Sequence, residues 1–305
     1  MPDPERKTIS ATQAPALFNA SPYTTRWMLY HYLRGNNVEP APTSRMSWGT
    51  KLQPLILEQA QADLKLDITP NFAHSYVRSQ HGALGYTADA TVWCPDRGRG
   101  TVEAKCCFDM ATYMQVWGGG ERPPRHVELQ LQQQLTVGDG AMPFAWGVIA
   151  LWVCGEMKYF ERTRDDKVSE SLITQALAML ADVEHAREPE PFGSSAELPI
   201  LATLFPVVKG KELDLRKHEH GAGIAQMAAD YKNWKGQENF FQKAAGDARA
   251  KLLAIAKDAE TVLLPGAMLT LSTRHVKEHM RKASTSTTLK VTLENDNGRQ
   301  PENES

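Results

Sequence analysis

The sequence predicts an α/β protein: a central mixed β-sheet flanked by helices, with a mainly helical C-terminal extension. Three observations carry that expectation. Two apolar stretches of strand length flank a polar turn running from Pro95 to Gly100. A second strand-like pair, PFAWGVIALWV and EMKYFERT, follows some forty residues later. Segments with helical spacing of apolar residues lie before, between and after these runs.

In chain order, Ser21-Pro22-Tyr23 precedes a helical TTRWMLYHYLRG, with Gly35 as its stop. SWGTKLQPLILEQAQADL reads as an amphipathic helix with Leu52, Leu55, Ile56 and Ala60 on or near one face. The hairpin around Pro95 to Gly100 comes next, with Asp89 on its first strand and TVEAKC as its second. A loop, Trp117-Gly118-Gly119-Gly120, then leads to the helix HVELQLQQQLTVGDG, in which Gln130 and Gln134 stand one turn apart. KVSESLITQALAMLADV closes the core as a helix.

The hairpin carries the chemistry. Side chains on a strand alternate faces, so Glu103 and Lys105 point to one side, and Asp89 joins them from the neighbouring strand. This is the D…E-x-K arrangement of a metal-dependent phosphodiester nuclease. Magnesium takes hard oxygen ligands, usually one or two carboxylates with waters and substrate oxygens completing the shell. A bound cation acidifies water and neutralises phosphate. A lysine beside it orients the attacking water and stabilises developing negative charge. An E-x-K triplet alone is common and reads as readily as a surface ion pair. The Glu58 carboxylate on the preceding helix could reach the same site.

These segments, in this order, resemble the YqaJ-like viral recombinase family, the group containing the phage lambda exonuclease. Its members share a PD-(D/E)xK restriction-endonuclease-like core. The resemblance spans about residues 6 to 185. It is carried by Ser10/Thr12, Ser21-Pro22-Tyr23, Trp48-Gly49 with Glu58, Gly85 with Asp89, Glu103-Ala104-Lys105, and Gln130 with Leu135-Thr136-Val137. Each motif is weak alone; six in the correct order are specific.

The resemblance implies that Asp89 and Glu103 ligate Mg²⁺, with Mn²⁺ as a substitute and the Ala104 carbonyl as a third ligand. Glu58 would be an outer ligand or would hold a metal-bound water. Lys105 would position the nucleophilic water, and Gln130 would support the metal site or the lysine. Thr12 stands where the family places a hydroxyl that helps bind the substrate's 5′-phosphate. Arg6 matches the accompanying arginine approximately, and Arg26 is a second candidate, with an ordinary exposed helix arginine as the alternative. The implied activity is 5′→3′ resection of one strand at double-stranded DNA ends, leaving 3′ overhangs. The implied partners are a single-strand annealing protein and further copies of the chain in a homo-oligomer. Two alternatives stand beside this: a structure-specific endonuclease or nickase of the same superfamily, or a non-cleaving DNA-binding recombination protein. The intact Asp89, Glu103 and Lys105 argue against the last.

The chain is expected to comprise a nuclease core over residues 1–187 and a Pro-rich connector over 188–209. A helical extension with a β-hairpin around Pro265-Gly266 follows over 210–283, then a disordered tail over 284–305. Gly236 is expected to break the extension's helical run. The net charge of −2 excludes a protein basic all over, so DNA affinity must come from a local surface. Cys94, Cys106, Cys107 and Cys154 show no metal-ligand spacing and read as reduced and structural. His275 and His279 have helical metal-ligand spacing but no following glutamate, and Arg274 to Lys282 reads as a solvated basic face. The absence of a signal peptide and of a membrane span points to the cytoplasm; the family resemblance implies a bacterial host cell and a phage or prophage origin.

Overall fold

The structure, a computed structural model, describes residues 8–36, 43–71, 73–206, 208–256, 261–264 and 267–270. The chain divides into two units, the first ending at Leu204 and the second starting at Phe205.

The first unit opens with β1 (Ile9–Ser10) and a 3-10 turn over Ala14–Phe18, followed by α1 (Arg26–Leu33) and α2 (Ser44–Leu64). Thr25 and Thr43 cap these helices, each hydroxyl accepting a first-turn backbone N–H. Strands β2 (Asp67–Pro70), β3 (Tyr76–Arg78), β4 (Leu84–Thr87), β5 (Ala90–Cys94) and β6 (Gly98–Cys107) come next. Then follow α3 (Met110–Val116), α4 (Arg125–Val137), β7 (Trp146–Val153), β8 (Glu156–Thr163), α5 (Asp166–Glu184) and α6 (Leu198–Leu204). Five strands form a mixed sheet in the order β2-β5-β6-β7-β8, parallel only between β6 and β7. A smaller sheet, β1-β4-β3, pairs β1 parallel to β4. The expected single central sheet is thus two mixed sheets, because the N-terminal segment pairs with β4 instead of joining the larger one.

Strand alternation sorts the larger sheet's faces. Val102, Trp146, Val148 and Ala150 pack with Ile56, Leu57 and Ala60 of α2. Ile149, Leu151 and Val153 pack on the other side with Leu131 and Leu135 of α4 and Tyr113 of α3. Glu103 and Lys105 stand on this second face by register, since Val102 belongs to the first. Helix α4 can lie close because β7 begins Trp146-Gly147. A Cβ at Gly147 would come within 3.1 Å of both Leu131 and Leu135 and 2.9 Å of the Thr101 carbonyl. Leu52, Ile56 and Ala60 pack as expected of α2, but Leu55 is exposed, one position off the buried stripe.

Helix α4 is stitched to its surroundings by glutamines. Gln132 donates to the Thr163 carbonyl and accepts from the Asp165 N–H. Gln133 donates to the carbonyls of Ile9 in β1 and Gly85 in β4. Both bonds reach buried backbone acceptors in strands of the smaller sheet.

The stretch 188–209 holds more structure than a surface connector. Glu197 is fully buried and accepts from the Thr25 hydroxyl and from the N–H groups of Phe192, Gly193 and Ser194. Ile200 of α6 packs on Trp27 and Met28 of α1. In the second unit, α7 (Gly221–Ala256) runs unbroken through Gly236, contrary to the expected break. A glycine inside a long helix costs about 1 kcal/mol, too little to interrupt it. Strands β9 (Thr261–Leu264) and β10 (Ala267–Thr270) pair antiparallel. Arg6, His275, His279, the run Arg274 to Lys282 and the tail from Ser284 lie outside the described residues.

Candidate active site

The β5–β6 register pairs Ala90 with Val102. Extending it one residue sets Asp89 opposite Glu103, although Asp89 itself lies just before β5, in the bend after β4. Its position is fixed from two directions. Oδ2 accepts the Ala104 backbone N–H at 2.8 Å, and Oδ1 accepts the Gln53 side-chain amide at 2.9 Å.

Glu103 is only 3% exposed and is held by three donors. Oε1 accepts from the Lys105 ammonium at 2.6 Å and from Gln130 Nε2 at 2.6 Å. Oε2 accepts from Gln134 Nε2, whose own carbonyl accepts the Thr101 hydroxyl at 3.2 Å. The Gln130 carbonyl accepts from Lys105 Nζ at 2.9 Å. One amide thus bridges the carboxylate and the ammonium. Such charge-assisted bonds are the stronger class and fix side-chain geometry.

Electrostatics follow from this packing. Burial, then the neighbouring Glu103, push the Asp89 carboxyl up to about 8, against the opposing pull of the Ala104 N–H and Lys105. Burial pulls the Lys105 ammonium down, but Glu103, Asp89 and Tyr23 outweigh it and hold it above the ordinary lysine range. Two carboxylates therefore share one lysine, and Asp89 is the one whose ionisation burial and Glu103 disfavour. A cation entering beside Asp89 and Glu103 would supply the missing positive charge, and the donors are hard oxygens suited to Mg²⁺. Among the described residues no cluster of three or more His, Cys, Asp or Glu side chains is placed to hold a metal. A metal here would rest on two carboxylates, with backbone, water and substrate oxygens completing its shell.

The structure thus brings together Asp89, Glu103, Ala104, Lys105 and Gln130. It does not bring Glu58. That side chain is exposed and makes no hydrogen bond or ion pair among the described residues. Gln53 is the α2 residue that reaches Asp89, and five residues of helix separate the two by about 140° of rotation. Thr12 is exposed, its hydroxyl paired with that of Ser10 at 2.9 Å. Arg26 is neither an exposed arginine nor free for an anion. It donates to the Leu17 carbonyl at 3.1 Å and to Gln175 at 2.7 Å, with Asp182 3.7 Å away. It pins the first turn of α1 to α5.

Sequence reasoning missed Gln53 and the direct bond from Gln134. The spacing of Gln130 and Gln134 was the available signal for the second, since both must then face β6. Gln53 had none, because its role depends on where α2 crosses the sheet end. The four cysteines are free, and Cys106 and Cys107 follow Lys105 as packing residues of the two sheet faces.

Residues 4–141 match the model of the YqaJ-like viral recombinase domain. Over this stretch the chain is similar to that family. The match includes β6 with Glu103 and Lys105 and the whole of α4 with its glutamines. No curated protein matches the chain. Among solved structures it is similar to the alkaline exonuclease LHK-Exo from Laribacter hongkongensis, at 17% identity and TM-score 0.47, over 59% of this chain and 89% of that one. LHK-Exo in complex with dAMP gives 16%, 0.48, 60% and 91%. A phage-related exonuclease from Haemophilus somnus 129PT gives 8% identity and TM-score 0.43, over 59% of this chain and 96% of that one. No helix among the described residues is long and apolar enough to cross a membrane.

Proposed function

We propose that the protein is a Mg²⁺-dependent deoxyribonuclease that resects one strand of linear double-stranded DNA, 5′→3′, for recombination by single-strand annealing. The observation that carries the reading is the Gln130 amide, which ties Glu103 to Lys105 beside Asp89 inside a YqaJ-like domain. Asp89, Glu103 and the Ala104 carbonyl would hold the metal; when bound, it would acidify a water and neutralise the phosphate. Lys105, kept protonated by its carboxylate neighbours, orients the attacking water and stabilises charge on the phosphate oxygens. Gln130 and Gln134 keep Glu103 in one rotamer, so the site is organised before substrate arrives. The proposed partners are double-stranded DNA ends, a single-strand annealing protein and further copies of the chain.

One observation favours a second reading, a structure-specific endonuclease or nickase. Arg26 is engaged by α5 and is not available to a 5′-phosphate. Incubation of end-labelled linear duplex beside a covalently closed circle, with and without Mg²⁺, separates the two. Loss of the linear substrate alone, only with metal, supports the exonuclease. Cutting of the circle supports the endonuclease, and no cleavage of either rejects both.

A further inference from the structure

Two aromatic residues beside this site remain unused by the chemistry above. His126 stands in the first turn of α4, four residues before Gln130, and so on the helix face that covers Glu103 and Lys105. Tyr23 projects from the turn before α1, where Ser21 Oγ accepts the N–H groups of Tyr23 and Thr24, both at 3.1 Å. The two rings meet edge to face, centroids 6.1 Å apart at 86°. Tyr23 is 73% exposed, while His126 is partly buried. Neither the imidazole nor the phenol hydroxyl makes a hydrogen bond among the described residues. Both lie within the electrostatic reach of Lys105. Burial, then Lys105, hold His126 below the ordinary histidine range.

An exposed, edge-braced aromatic ring next to a phosphodiester-cleaving lysine has a natural occupant. Every nucleobase has a π-face, and base–aromatic stacking is indifferent to sequence. A neutral imidazole presents one N–H donor and one acceptor. Resting on the nuclease reading, we propose that Tyr23 and His126 seat the terminal nucleotide of the strand being cut. Tyr23 stacks on the base, and His126 donates to a phosphate oxygen flanking the scissile bond. Both are positioning residues. Tyr23 gives length-independent, sequence-tolerant registration of one nucleotide, and His126 ties that nucleotide to the helix carrying Gln130.

The test uses the full chain with Mg²⁺ and linear duplex, with kcat and KM measured separately. Inhibition by a deoxynucleoside monophosphate is compared with inhibition by inorganic phosphate. Tyr23→Ala should raise KM at least about fivefold, the low end for a lost base stack. It should weaken inhibition by the nucleotide to match, and leave inhibition by phosphate unchanged. Tyr23→Phe should restore all three. His126→Ala should weaken inhibition by nucleotide and phosphate alike, and His126→Gln, which keeps an N–H, should recover part of the loss. Unchanged KM and inhibition in both alanine variants of a cleaving enzyme overturn the proposal, as does a fall in thermal stability that alone accounts for the losses. If the wild type does not cleave, the nuclease reading fails by itself. Calorimetric binding of the nucleotide then decides the seat, which is rejected if Tyr23→Ala binds as tightly as wild type.

Discussion

The Ala104 backbone N–H donates to Asp89 Oδ2 at 2.8 Å, so the residue between Glu103 and Lys105 helps fix the third member of the motif. Ala104 turns its methyl group towards the α2 side of the sheet, while its N–H holds the carboxylate that stands opposite Glu103. The two acids are thus brought together by backbone as much as by side chains. Substituting Ala104 would test packing, whereas substituting the acids tests chemistry.

Asp89→Asn and Glu103→Gln should each abolish Mg²⁺-dependent cleavage while linear duplex is still retained in a gel-shift assay. Each removes a proposed metal ligand and keeps the shape of the side chain, while one acceptor oxygen becomes an N–H donor. Lys105→Ala should slow turnover by at least about 10²-fold, the scale of one positioned electrostatic group. Near-normal turnover by purified Asp89→Asn would remove this site from the mechanism.

The raised Asp89 pKa has a pH signature. In the metal-free protein the folded state holds a proton that the unfolded chain has lost, from about pH 4, the ordinary aspartate range, up to about 8. This group's contribution to stability therefore falls as pH rises through that window. Asp89→Asn, which never ionises, should melt above the wild type by a margin that grows from pH 5 to pH 8 without metal. Metal entry requires the proton to leave, so Mg²⁺ binding to wild type at pH 7 should release protons in calorimetry. A margin that shrinks with rising pH contradicts the assignment.

Gln53→Ala should slow cleavage more than Glu58→Gln. Gln53 holds one oxygen of Asp89, whereas Glu58 is exposed and unpaired among the described residues. Rates of the two variants across a Mg²⁺ titration check this. A stronger effect from Glu58→Gln would mean that α2 moves when DNA binds.

Arg26→Ala should lower thermal stability, by about 1–3 kcal/mol for charge-assisted bonds lost at a partly buried site. The ratio of rates on duplex with a 5′-phosphate and with a 5′-hydroxyl should stay unchanged. A changed ratio at unchanged stability would return Arg26 to the substrate.

The motif on β6 was legible because strand alternation is a local rule: Glu103 and Lys105 are two apart, and no tertiary fact can separate their faces. The turn at Pro95, the helix stop at Gly35 and the Gln130–Gln134 spacing were legible for the same reason. The surroundings of Glu58 and Arg26 were not legible, because both depend on docking. The rotation of α2 about its axis decides whether Gln53 or Glu58 meets Asp89, and the approach of α5 decides whether Arg26 meets protein or solvent. Buried Glu197 was invisible in a stretch of prolines, since its partners include Thr25, 172 residues away.

The glutamines of α4 make that helix a common axle. Gln130 and Gln134 grip the acid of the larger sheet, Gln133 grips β1 and β4 of the smaller one, and Gln132 grips the junction of β8 and α5. No partner can tilt the helix without carrying the others along. On the proposed nuclease reading, a DNA strand bound at the acids would meet the N-terminal segment at a separation set by this one helix.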